Sequence, residues 1–251
     1  VQFQFDHSVI RITHADADAL MAGVSARLVA GSGFSIATIN LDHLVKLRRE
    51  PAFRTAYVAQ DFVVADGNPI VWLSRLAGRP VQLVPGSDLV LPLVRAAAAA
   101  RRPVSILGSS DAVLETAMTR FEAMVPGVRR GVLISPPMGF APEGAEAKEM
   151  LARLAAVGPG LCLLALGASR QERLAALGRQ LAPETGFACV GAGVDFIAGS
   201  QTRAPAWVRA VAMEWLWRAL SSPRRMIPRY AACAAVLPGQ AVKALRLRQR
   251  G

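Results

Sequence analysis

The sequence predicts an α/β protein: a Rossmann-like, mostly parallel sheet with helices on both faces, followed by a C-terminal helical appendage. Three observations predict it. Short β-branched or apolar runs alternate with helical patterns through most of the 251 residues, which is how a parallel sheet with crossover helices is written. The strand runs are apolar on both sides, as burial on both faces requires. Charge then changes abruptly: ten basic residues and one acidic residue follow from Arg203 on, against 19 basic and 17 acidic in residues 1–202. The reading divides the chain into an α/β core, residues 1–202, and a basic, Trp/Arg-rich appendage, residues 203–251.

Element by element, Ser35 to Asn40 is a β-branched strand, and the polar-apolar mix of Asp42 to Arg49 a helix. Asp61 to Ala65 is a strand and Ile70 to Ala77 a helix. Ser87 to Ala100 is helical, its alanine run supplying propensity. Val104 to Leu107 is a strand, Asp111 to Met124 a helix, Gly131 to Ile134 a strand and Glu143 to Ala156 a helix. Leu161 to Leu166 is a wholly apolar strand, Ser169 to Gln180 a helix, and Phe187 to Val190 closes the series. The Pro- and Gly-containing segment from Ser135 to Gly144 is a surface loop. Trp207 to Leu220 forms a further helix, and another runs through Ala231 to Val236, with Pro223 and Pro228 bracketing the arginines between them.

Composition excludes several classes. With 53% hydrophobic residues the chain can bury a real core. Cys162, Cys189 and Cys233 are scattered without CxxC spacing, which argues against a disulfide framework or zinc site and fits a reducing compartment. Asp6, Asp16 and Asp18 interrupt the first thirty residues, so no signal peptide is read there, and no apolar run has the roughly 18 to 20 residues of a spanning helix. The expectation is a cytoplasmic or peripheral protein. Tryptophan with arginine in the appendage is the composition of a segment lying at an anionic membrane surface. The alternative is a helix packed on the core. No helix-turn-helix, zinc or RNA-binding signature accompanies the charge, so nucleic acid is not the expected partner.

Ligands of open parallel sheets sit at the carboxyl ends of the strands. There the sequence places Asn40 and Asp42, Asp66-Gly67, Gly108, Gly167, and Gly191 to Asp195. Glycines at such ends let backbone amides approach a phosphate or base closely. Gly191-x-Gly193 lacks the third glycine of a dinucleotide fingerprint.

Seven segments in register carry a resemblance. They are Thr38-x-Asn40-x-Asp42-His43, Ala65-Asp66-Gly67-x-Pro69-x-Val71-Trp72 and Gly86-Ser87-Asp88-Leu89, then Gly167-x-x-x-Gln171-Glu172 and Val190-Gly191-Ala192-Gly193-Val194-Asp195. Arg203-Ala204-Pro205-x-Trp207 follows, and Glu214-Trp215-Leu216-x-Arg218 with Pro223-Arg224-Arg225 completes them. From about residue 10 to 230 the chain resembles the WecG/TagA/CpsF family of bacterial glycosyltransferases. The resemblance implies an inverting, metal-independent enzyme without a cofactor, at the inner face of the plasma membrane. It would move a hexose-type sugar from a UDP-sugar to an undecaprenyl-pyrophosphate-linked sugar, in exopolysaccharide or other cell-surface polysaccharide synthesis.

Residue by residue, the resemblance makes Asp66 the general base that takes the acceptor hydroxyl's proton. The alternative is a turn or a cap for the helix near Pro69. Thr38 and Asn40 become polar groups that orient the acceptor or stabilise the leaving diphosphate, or else turn formers. His43 is a secondary candidate with a structural alternative. The nucleotide-sugar group comprises Gly108, Gly167, Gln171, Glu172, Gly191, Gly193 and Asp195, the last with helix capping as its alternative. Here the chain departs from the family pattern, with Ser169-Arg170 where Pro-Lys is usual. Arg203, Arg218, Arg224, Arg225 and Arg229 would hold the acceptor pyrophosphate, bidentate cations serving where no metal does; otherwise they form a solvated or lipid-facing surface. Asp16-Ala17-Asp18 has metal-motif spacing but is read as a helix start, and His7, His14 and His43 are dispersed. Two other readings stay open: a non-catalytic nucleotide-binding module and a basic nucleic-acid-binding protein. Donor identity (UDP-glucose, UDP-N-acetylmannosamine or its uronic acid) and monomer or dimer state are also open.

Overall fold

Apolar strands with no polar face must be interior, and the computed structural model places them so. It describes residues 1–202, 204–205, 208, 214–221 and 223–249, without the side chains of 214, 215, 218, 221 and 225. An antiparallel hairpin, β1 (Gln2–Phe5) and β2 (Ser8–Arg11), precedes α1 (Ala17–Ala30). Then come β3 (Phe34–Ile39), α2 (Leu41–Arg49), α3 (Pro51–Val58), β4 (Phe62–Ala65), α4 (Asn68–Leu76) and α5 (Gly86–Ala99). The series continues with β5 (Pro103–Gly108), α6 (Asp111–Met124), β6 (Arg129–Ile134), α7 (Ala145–Val157), β7 (Gly160–Ala165) and α8 (Arg170–Leu181). It ends with β8 (Thr185–Cys189), α9 (Gly193–Ala198), α10 (Glu214–Ser221) and α11 (Pro223–Gln249).

The six-stranded sheet has the order β4-β3-β8-β7-β5-β6, with every pairing parallel. β3, β4, β7 and β8 are buried at every residue, whereas the edge strand β6 exposes Arg129 and Arg130. Successive side chains alternate between faces. Ile36, Val64, Ile106, Leu163 and Ala188 meet α1, α5 and α6 on one face. Ala37, Ile39, Val63 and Ala65 meet α2, α3 and α4 on the other, where Leu164, Phe187 and Cys189 meet α7 and α8. β5 crosses outward to β6 while its neighbour β7 crosses the other way to β8. The carboxyl ends of β5 and β7 therefore diverge at a switch point.

Asp16 starts α1, accepting the Ala19 N–H at 2.8 Å, so the Asp16-Ala17-Asp18 segment opens a helix. The hairpin and α3 were not anticipated. Nor was the length of α11, which continues through Pro228 and Pro238 where a short helix over Ala231 to Val236 was expected. An interior proline costs about 3 kcal/mol or more. Burial of Cys233, Val236, Gln240 and Ala244, spaced at helical intervals along the core, opposes that cost. Cys233 and Val236 pack on Val45 of α2, and Ala244 joins the cluster of Phe3, Phe5 and Leu73. Among the described residues, no helix is long and apolar enough to cross a membrane.

Candidate active site

The carboxyl ends of β3 and β4 are stitched together by the Asp66 N–H, which donates to the Ile39 carbonyl at 2.8 Å. Asp66 is half-buried. The residue at the helix cap of α4 is Gly67, at φ 90°, directly after Asp66. One residue beyond β3, Asn40 caps α2: its Oδ1 accepts the His43 N–H at 3.0 Å, leaving the amide NH2 as a donor. Thr38 is buried beneath the start of α5. A Cβ added at Gly86 would lie 3.2 Å from its Oγ1, a tight contact that glycine avoids.

The four glycines expected at the nucleotide fall into two kinds. At Gly167 and Gly191 an added Cβ would meet nothing within 4 Å, so these backbones border open space. At Gly108 it would lie 2.3 Å from the Ala165 carbonyl, and at Gly193 2.7 Å from Val90. Gly108 and Gly193 are thus close-packing positions, between β5 and β7 and between α9 and α5. Asp195 accepts the Ser109 hydroxyl at 3.0 Å and the Ser200 hydroxyl at 3.3 Å, joining α9 to the loop after β5.

Gln171 and Glu172 differ from expectation more. Glu172 is 0% exposed and Gln171 4%, so the Gln-Glu pair lies inside the protein. The Gln171 amide is used at both ends: Nε2 donates to Glu172 Oε1 at 2.9 Å, and Oε1 accepts the Gly191 N–H at 3.2 Å. Gln60 Nε2, two residues past α3, donates to the Glu172 carbonyl at 3.1 Å, fastening that turn to the start of α8. Above Glu172 lies His43, with Nε2 4.0 Å from Oε1 and Nδ1 3.0 Å from the Tyr57 hydroxyl. Burial pushes His43 down to about 3 and Glu172 up to about 7. The two are a neutral pair between those values, despite a separation short enough for an ion pair. The turn before Gln171 holds Ser169, whose Oγ donates to Glu50 Oε2 at 2.6 Å; the Ala168–Ser169 peptide bond is cis.

One residue from His43, chemistry reverses. Asp42 Oδ1 is 2.9 Å from Arg229 Nε, and its Oδ2 is 3.1 Å from Lys46 Nζ. Burial opposes the Asp42 charge, but Arg229 and Lys46 outweigh it and hold the carboxyl below its usual range. Lys46 Nζ also donates to the Ala168 carbonyl at 2.8 Å, reaching the loop after β7. A cavity of about 480 Å³ opens here between α2 and α11, lined by Lys46, Arg49 and Arg229 with Val45, Pro228 and Ala232 among others. Arg229 remains 40% exposed at its side chain, and Arg224 is exposed. Arg203, Trp207 and the side chains of Arg218 and Arg225 lie outside the described residues. Among those described, no three His, Cys, Asp or Glu side chains converge as metal ligands.

The sequence reading missed Tyr57, Gln60, Lys46 and Ser109. Lys46 carried a signal, an opposite charge four residues after Asp42 on a helix. Tyr57 and Gln60 carried none, because α3 and the turn that follows it were not anticipated.

Comparison with known proteins places similar sequences beside this one. The model of the "Glycosyl transferase WecG/TagA/CpsF family" matches residues 6–251. Among similar curated relatives, a Bacillus spizizenii protein is 28% identical over 204 residues, 79% of this chain and 77% of its own length. A Bacillus subtilis protein is 23% identical over 206 residues, 79% and 78% respectively. Both are named N-acetylglucosaminyldiphosphoundecaprenol N-acetyl-beta-D-mannosaminyltransferase.

Proposed function

Because the chain belongs to the WecG/TagA/CpsF family and is a glycosyltransferase, we propose that it moves a sugar from a UDP-sugar to an undecaprenyl-diphosphate-linked N-acetylglucosamine. Transfer inverts the anomeric centre, needs no metal, and uses Asp66 as base. The acceptor follows the relatives' name, and their β-linked product fits inversion from an α-linked nucleotide donor. One observation carries the site assignment. Asp66, Asn40, Gly167 and Gly191 all leave the same carboxyl edge of the sheet, where α2 also anchors Arg229.

The chemistry follows from that edge. Asp66 takes the proton of the acceptor hydroxyl as its oxygen attacks the anomeric carbon. The bond to UDP breaks on the opposite side, and UDP leaves as an anion. The Asn40 amide NH2 orients the acceptor or the departing diphosphate. The open backbones at Gly167 and Gly191 admit the donor's diphosphate closely. Arg229, with Arg203, Arg218, Arg224 and Arg225, offsets the acceptor diphosphate's charge. The excess of positive charge from Arg203 on supports docking at the anionic inner face of the plasma membrane.

UDP release tests this reading, measured across UDP-N-acetylmannosamine, its uronic acid and UDP-glucose with a short polyprenyl-diphosphate-N-acetylglucosamine acceptor and chelator present. Asp66→Asn should lose roughly 10²–10⁴-fold in kcat while still binding UDP. Full turnover in that variant, or restoration of a chelator-silenced enzyme by Mg²⁺, would overturn the base or the metal-free mechanism respectively.

A further inference from the structure

Family likeness alone would put the Gln171-Glu172 pair against the nucleotide, yet the pair lies inside the molecule. Three facts define what it does there. Glu172 has no exposed surface, and among the described residues its Oε2 has no hydrogen-bond partner. Its Oε1 receives the Gln171 amide, whose other end receives the Gly191 N–H. Gly191, at φ 53°, borders open space at the carboxyl end of β8 and shares its N–H with the Leu164 carbonyl, also at 3.2 Å. A single chain of bonds thus runs from a carboxyl group inside the core to a backbone position facing the site.

We propose that Glu172 is a positioning residue: through Gln171 it holds the Gly191 loop in the shape that receives the nucleotide, and it touches neither donor nor acceptor. The inference rests on the nucleotide-binding part of the function above, not on transfer. Its surroundings set how it behaves. Glu172 faces His43, Lys46 and Asp42 of α2, Tyr57 of α3, and Cys189 of β8. His43 is neutral, and Lys46 already serves Asp42 and the Ala168 carbonyl. When Glu172 ionises, near pH 7, no cation among the described residues is placed to compensate it fully. Water must enter, and the loop loosens. Glutamine at this position keeps an acceptor for Gln171 in the same volume and cannot ionise; leucine removes the acceptor.

Calorimetric UDP binding, which needs no transfer, is the test, with donor KM and kcat measured alongside. Glu172→Gln should bind UDP within roughly threefold of wild type at about pH 6, because the acceptor survives. Wild-type affinity should decline as pH rises through 7, whereas that of Glu172→Gln stays flat. Glu172→Leu should weaken UDP binding and raise donor KM roughly tenfold with little change in kcat. Gln171→Leu should do the same, and the double variant should be no worse than either single one. Should Glu172→Leu fail to fold, the pH profile of Glu172→Gln still decides. A collapse of kcat in Glu172→Gln, or a pH profile no flatter than wild type, overturns the proposal. Wild-type protein that binds UDP but transfers nothing would sink the transfer reading and leave this one standing. Wild-type protein that binds no UDP sinks this one.

Discussion

Asp42 and His43 are adjacent on α2, yet their side chains enter opposite electrostatic regimes. On one side, His43, Tyr57, Gln60, Gln171 and Glu172 form an interior network in which burial keeps the ionisable members neutral. On the other, Asp42, Lys46 and Arg229 form a charged cluster beside a cavity. The difference is one of compensation. A carboxylate with two cations in reach stays ionised despite partial burial, whereas a fully buried carboxyl group beside a neutral imidazole and an amide, with Lys46 already engaged by Asp42, gives up its charge. The neutral side reaches the Gly191 loop through Gln171, and the charged side fastens α11 to α2.

The largest break in this comparison comes from acid. His43 has a folded value of about 3 against an ordinary 6.5, so the unfolded chain binds more protons between those limits. The stability it contributes is complete above pH 6.5 and falls as pH drops toward 3. Glu172 acts in the opposite sense: its raised folded value favours the folded state below about 4.5, and that benefit is lost as pH rises toward 7. The two slopes oppose each other where they overlap. Urea titrations should therefore show the difference between His43→Gln and wild type changing by roughly 3 kcal/mol between about pH 6.5 and about pH 4. A constant difference would mean that His43 is charged in the folded protein.

Loss of Asp42 should have a smaller effect, since Arg229 can rehydrate. Asp42→Ala should lower stability by about 1 kcal/mol and raise acceptor KM roughly fivefold, leaving UDP affinity alone. A double-mutant cycle with Arg229→Ala should return a coupling of roughly 0.5–1 kcal/mol that shrinks in high salt. Zero coupling at low salt would show that the pair does not position the arginine. The smallest effect belongs to Arg224, which is exposed. Arg224→Ala should weaken binding to anionic vesicles by about 1 kcal/mol without changing the folding midpoint; unchanged vesicle binding would remove Arg224 from the membrane-facing surface.

Some of this was legible in the residues themselves. The wholly apolar run from Leu161 to Leu166 had to be an interior strand, and the glycines and Asp66 after such runs had to lie at one edge. β1, β2 and α3 were not legible, because short segments of mixed polarity carry no clear period. Their existence depends on neighbours: the segment after the hairpin lies along β4, with the Thr13 N–H donating to the Val63 carbonyl, and α3 packs on α8.

Local sequence by itself determined the α/β alternation, the sheet edge that gathers the candidate residues, and the change in charge from Arg203 on, because these depend on position and spacing along the chain. Only the tertiary structure decided that Gly167 and Gly191 border open space while Gly108 and Gly193 are packed, and that Gln171-Glu172 turns inward. It also decided that Arg229 meets Asp42 across 187 positions of chain. Burial and charge compensation are sums over neighbours from distant parts of the chain, and a residue's own position in the sequence does not contain that sum.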